Sequence, residues 1–124
     1  FFLKKRKKIY QKYSKKFKNF SQNIVIPKYS KDIKSSYHLF LLNIAFNKLK
    51  KNKNYFMKYL KDNNIIAQQH YIPIYKFSIY NEKSINFPGA EKYFNNSISL
   101  PIFVNLSKIN QIKVIKIIKR YFKQ

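Results

Sequence analysis

The sequence contains no cysteine and no tryptophan, a single glycine, and four acidic residues against 27 Lys and Arg in 124 residues. Without cysteine there are no disulfides, no thiolate chemistry and no Cys-based metal site, and a cytoplasmic location is the expectation. One glycine, Gly89, excludes a Walker loop and a dinucleotide fingerprint, since each needs several. No apolar run reaches the ~18 residues of a membrane span. The longest are short pieces such as Leu39–Asn43 and Ile115–Ile118, so no membrane partner is expected. A secretory signal is not expected either, because Phe1-Phe2-Leu3 precede Lys4-Lys5-Arg6-Lys7-Lys8, the wrong order of charge and grease. The only methionine is Met57, and the sequence is read as a piece of something longer.

Catalytic groups are also scarce. Asp32, Asp62, Glu82 and Glu91 do not pair at a spacing suited to acid/base work. His38 and His70 have no obvious third ligand, so no metal is expected. Ser35, Ser36, Ser97 and Ser99 lack a nucleophile-elbow context. These residues alone do not make a complete active site.

What is abundant is lysine, with 25 of the 27 cations, and only Arg6 and Arg120 besides. Lys, Asn, Ile, Phe, Tyr and Met together make 81 residues, whereas Gly, Ala, Arg and Pro make 10, the bias of an AT-rich genome. Genomic drift therefore accounts for much of the net charge of +23. The competing reading is a selected polyanion surface, a basic nucleic-acid-binding module with lysines on phosphates and tyrosines for stacking. It is the weaker of the two: lysine lacks arginine's bidentate fork, and the aromatics recur at core-like spacings.

The hydrophobic pattern predicts a single small α/β (α+β) domain of helices packed on a three- to four-stranded sheet. Residues 2–20 read as a basic amphipathic helix with Phe2, Ile9, Tyr13, Phe17 and Phe20 inward. Asn23–Ile26 reads as a short strand closed by Pro27. Tyr37–Ile44, apolar on both faces, reads as a strand in the middle of the sheet. A helix over Asn54–Asp62, with Phe56, Met57 and Leu60 inward, stops at Asn63-Asn64. Ile65–Gln69 reads as a third strand ending in His70-Tyr71-Ile72-Pro73. After a loop to Phe87, Pro88 opens a helix to Asn96, Ile98–Ile102 is a short strand, and Ser107 caps a final helix with a stripe of Ile112, Ile115, Ile118 and Phe122.

The segment His70-Tyr71-Ile72-Pro73-Ile74-Tyr75 stands out, joining an imidazole, a phenol and a stiffening proline at a strand end, where open sheets place ligand-contacting loops. The plainer alternative is a strand end whose histidine bonds a backbone carbonyl and whose tyrosine packs.

Several segments, in order, resemble the sugar aminotransferases of the DegT/DnrJ/StrS family. Ser35-Ser36-Tyr37-His38-Leu39-Phe40 resembles the strand after that family's domain crossover. Phe56–Leu60 and Ile65–Pro73 resemble its helix, strand and H-Y-x-P motif. Phe87–Phe94 resembles F-P-x-A-E-x-Y-Y, and Ser97–Phe103 the S-L-P-L-F/Y strand. Ser107–Phe122 is similar to the closing helix, and Arg6–Tyr13 to the R-R-x-x-A-x-x-Y run of the long interdomain helix. The sequence departs from the pattern at Ile65-Ile66-Ala67, which lacks the usual glycine, at Tyr75, which replaces a frequent histidine, and in a shortened loop, Asn81–Asn86.

The resemblance implies a fold-type I transaminase dependent on pyridoxal 5′-phosphate, acting on a nucleotide-linked keto-sugar with glutamate as amino donor, for surface glycans. Residues 1–22 would be the end of the interdomain helix and 23–124 the small C-terminal domain. The large domain, with its Schiff-base lysine, would lie outside this sequence, so no catalytic or cofactor-binding residue is assigned here and this stretch alone is expected to be inactive. His70 and Tyr71 would bind substrate. The full-length protein would be a homodimer with its active site near the interface. The H-Y-x-P-I-Y form with its aromatic tail is nearest the pseudaminic-acid branch, which aminates the C4 keto group of a UDP-linked deoxy sugar. An inactive remnant of a split coding region is the remaining alternative.

Overall fold

The computed structural model describes residues 1–28, 30, 32–80 and 86–123. Helix α1, Phe2–Phe17, turns Ile9, Tyr13 and Phe17 inward at four-residue steps and leaves its lysines in solvent. The expected inward face is shorter than the sequence pattern. Phe2, two turns before Ile9, is 62% exposed because the helix runs past the layer it packs on. α1 also stops three residues early: Lys18 is extended, and Asn19 takes a left-handed φ of 56°.

Three strands form one antiparallel sheet in the order β1 (Ile24–Val25), β2 (Phe40–Ile44), β3 (Ser97–Leu100). β2 is central as expected, with Phe40 opposite Leu100 and Leu42 opposite Ile98. It begins at Phe40 and not at Tyr37, because Tyr37 has a φ of 50° that no strand accommodates. The expected strand Ile65–Gln69 is corrected to one bridge, in which Gln68 and Ser99 exchange backbone bonds of 3.0 and 2.8 Å. Asn64 leaves the preceding helix left-handed, at φ 59°, and the chain meets the β3 edge only at Gln68.

Helix α2, Lys53–Asp62, is capped by the Asn52 side chain accepting from the Tyr55 amide at 3.0 Å. Helix α3, Pro88–Asn96, has proline in its first turn and continues directly into β3. Helix α4, Lys108–Tyr121, is capped by Ser107, whose hydroxyl accepts from the Asn110 amide at 3.1 Å. Its buried side is rotated from the expected stripe: Gln111, Val114 and Ile117 join Ile115 and Ile118, while Ile112 is 41% exposed. One continuous core joins these elements, with Tyr13, Phe40, Leu42, Ile44, Phe56, Leu60, Ile98 and Ile118 fully buried. Most of its driving force is this apolar burial, worth about 25 cal/mol per Å².

Candidate functional site

The segment singled out by sequence leaves the edge of β3 at Gln68 and runs beneath α3. The Gln69 amide donates from Nε2 to the Phe94 carbonyl at 3.1 Å, fixing the chain one residue before His70. Beyond Pro73, residues Ile74–Lys76 form a 3-10 turn. Tyr75 stacks on Phe87 with ring centroids 4.8 Å apart, and its hydroxyl donates to Glu91 Oε1 at 2.5 Å. Lys76 Nζ completes the group with an ion pair to Glu91 Oε2 at 2.9 Å. Both partners hold the Glu91 carboxyl below its ordinary range, the Tyr75 bond most. Desolvation and the same carboxylate push the Tyr75 phenol up to about 12.

His70 and Tyr71 lie edge to face, 4.9 Å apart, across a cis peptide. Their environments differ. Tyr71 is 76% exposed, whereas both ring nitrogens of His70 are buried and bond to no group among the described residues. The plainer sequence alternative, a histidine tied to a backbone carbonyl, is therefore not what the structure contains. An imidazole always has at least one N–H to donate, and leaving it buried and unpaired is costly. Native structures keep such groups chiefly where they serve another purpose.

His70 stands between two hollows. One, of about 500 Å³, is lined by His70, His38, Gln68, Ser99, Asn110 and Lys113 together with apolar groups. The other, of about 420 Å³, lies under Tyr71, Pro73, Ala90 and Tyr93. The sequence offered no sign that His38 and His70, 32 positions apart, line one cavity. The link is Tyr37, whose left-handed backbone turns the chain just before His38, and a positive φ in a bulky residue leaves no sequence mark. Among the described residues, no three His, Asp or Glu side chains could hold a metal ion.

Lys53, at the start of α2, is the second feature the sequence hid. Its ammonium donates to the Phe94 carbonyl and lies 5.2 Å from the Phe94 ring centroid. Burial lowers its pKa to about 8. Among the described residues no carboxylate pairs with it, the ion pairs being Lys58–Asp62 and Lys76–Glu91.

The family model that matches this chain is that of the DegT/DnrJ/EryC1/StrS aminotransferases, over residues 1–119. The chain belongs to this family. It is 31% identical to the uncharacterized protein MJ1066 of Methanocaldococcus jannaschii, covering 94% of this chain and 31% of that one. It is 27% identical to the spore coat polysaccharide biosynthesis protein SpsC of Bacillus subtilis, over 84% of this chain and 28% of that one. Its fold superposes with a TM-score of 0.86 at 25% identity on Helicobacter pylori PseC, an aminotransferase involved in pseudoaminic acid biosynthesis, covering 99% of this chain and 33% of that one. The chain thus spans a little under a third of the length of these curated relatives.

Pyridoxal phosphate needs a lysine for its aldehyde, a carboxylate at its ring nitrogen and a phosphate cradle. The residues described here do not fit it. Lys53 is desolvated but forms no ion pair among the described residues, and Asp62 and Glu91 are each engaged with another lysine.

Proposed function

We propose that this chain is the C-terminal part of a pyridoxal-phosphate-dependent transaminase that aminates a nucleotide-linked keto-sugar, with glutamate as the donor. Residues 1–22 would close the interdomain helix, and 23–124 would form the small domain. The reading is supported by family membership over residues 1–119. It also rests on the C-terminal-domain motifs, which occur here in order. The cofactor would carry the amino group from donor to keto carbon, held by residues outside this chain. The likeness to PseC and the H-Y-x-P-I-Y form favour a UDP-linked deoxy sugar of the pseudaminic-acid type, and the likeness to SpsC a surface-glycan role. A cytoplasmic homodimer is part of the same proposal. No described helix is long and apolar enough to cross a membrane.

The observation that carries a substrate role is His70, whose two buried ring nitrogens have no partner among the described residues, beside an exposed Tyr71. In this reading the His70 N–H and the Tyr71 hydroxyl donate to substrate oxygens and hold the keto carbon in place, a positioning task without proton abstraction. One neutral hydrogen bond is worth about 0.5–1.5 kcal/mol, or roughly threefold to tenfold in affinity. His70→Ala in the full-length enzyme should raise KM for the nucleotide sugar by that factor and leave the melting temperature unchanged. A variant that melts early while its folded fraction keeps the parental KM would show His70 to be scaffold.

A further inference from the structure

We propose that Glu91 is a positioning residue of this site, holding the Tyr75 end of the His70–Tyr75 segment through its grip on Tyr75 and Lys76, as Gln69 fixes its start. The proposal deepens the substrate-binding reading of His70 and Tyr71 and rests on it. Among the described residues, every hydrogen bond that leaves segment 70–80 for another part of the chain ends on Glu91. The remaining backbone bonds of the segment are local: Lys76 to Pro73, Phe77 to Ile74, and Tyr80 to Phe77. Packing adds the Tyr75 ring on Phe87 and the Lys76 ammonium over the Phe94 ring, both beside the Glu91 bonds, while Ile72, Ile74, Phe77 and Ile79 are 52%, 63%, 48% and 84% exposed.

Glu91 is well placed to act as the anchor. It sits in the first turn of α3, where the helix dipole favours a carboxylate. α3 runs without a break into β3, which pairs along its length with the central strand. The path is therefore continuous from the core sheet through α3 to the carboxylate, and from there through Tyr75 and Pro73 to Tyr71 and His70. Each carboxylate oxygen takes a different partner, so the turn is held at two points and not merely tethered. In a chain of net charge +23 a carboxylate here attracts Lys76 and is in no danger of pairing with another acid.

The test is hydrogen exchange of the full protein with and without Glu91→Ala, together with Tyr75→Phe, which keeps the ring on Phe87 and removes only the hydroxyl. The amides of Lys76, Phe77 and Tyr80 should exchange roughly threefold to tenfold faster in Glu91→Ala, with β2, β3 and α4 unchanged. Adding Tyr75→Phe to Glu91→Ala should bring little further increase, since one acts through the other. KM for the nucleotide sugar should rise while kcat holds. Unchanged exchange in the segment, or faster exchange throughout the sheet, overturns the proposal. Faster exchange confined to the segment with KM unmoved upholds Glu91 as its anchor and overturns the substrate role of His70 and Tyr71.

Discussion

The Gln111 side chain donates from Nε2 to the Ile9 carbonyl at 2.7 Å, joining α4 to α1 across 102 positions of sequence. Gln111 is 3% exposed, among the few buried polar residues. The Ile9 carbonyl lies inside α1, where it also accepts its own helical bond. Gln111→Ala should therefore cost about 1–3 kcal/mol, chiefly through the space left between the helices. Gln111→Leu, of similar volume, should cost less, because it fills that space while the Ile9 carbonyl keeps its helical bond in both variants. Urea melts of the three proteins would show the order; a leucine variant weaker than the alanine variant would contradict it.

Tyr13 makes the matching tie to the end of β3. Its hydroxyl donates to the Pro101 carbonyl at 3.0 Å from a fully buried ring that packs 4.9 Å from Phe40. Burial raises the phenol's pKa, so the neutral donor persists at any working pH. Tyr13→Phe keeps the ring and strands the carbonyl. A loss of about 1–2 kcal/mol is expected, and a variant as stable as the parent would mean that water replaces the bond.

Asn64 ends α2 in the left-handed region at φ 59°, letting the Ile65 amide return to the Leu60 carbonyl at 2.9 Å. A Cβ without a local hydrogen-bonding group is disfavoured there by roughly 1–2 kcal/mol. Asn64→Ala should lower the stability by about 1 kcal/mol, and Asn64→Gly should leave it within a few tenths. Equal melting temperatures for the two variants would rule out backbone conformation as the reason for asparagine here.

These residues also show why some of the fold could be read from sequence and some could not. The inward face of α1 follows from Ile9, Tyr13 and Phe17 at period four, and the central place of β2 from its two apolar faces. Ser107 as a cap and Pro88 as a helix start are local chemistry, visible without any partner. Position in the sheet is different. Ile65–Gln69 reads as a strand, but a ladder needs an aligned neighbour, and the chain pairs with β3 only at Gln68. The orientation of α4 depends on where α1 offers a carbonyl, so Gln111 turns in and Ile112 turns out. The site divides likewise: His70-Tyr71-Ile72-Pro73 is contiguous and legible, whereas His38 reaches the same cavity through the backbone of Tyr37.

Lys53 is the second feature that the sequence hid. Lysine in water has a pKa near 10.4, and burial beside Phe94 lowers this one to about 8. The depressed value means that the folded protein disfavours the charged form, while the unfolded chain keeps its proton to higher pH. Between about pH 8 and 10.5 the unfolded state therefore binds more protons, and this group's contribution to stability rises with pH across that window. Reductive methylation with a carbon-13 label, followed by NMR titration, should show one dimethyl-lysine resonance with its midpoint near 8, displaced from the cluster of the others and absent in Lys53→Met. At pH 7 roughly a tenth of Lys53 would be free amine, against about one part in a thousand or less for an ordinary lysine. Small aldehydes should for that reason label Lys53 ahead of exposed lysines after borohydride reduction, at partial yield. If every lysine resonance titrates above 10, the ammonium is better hydrated than its position against the Phe94 ring implies, and preferential labelling should vanish with it.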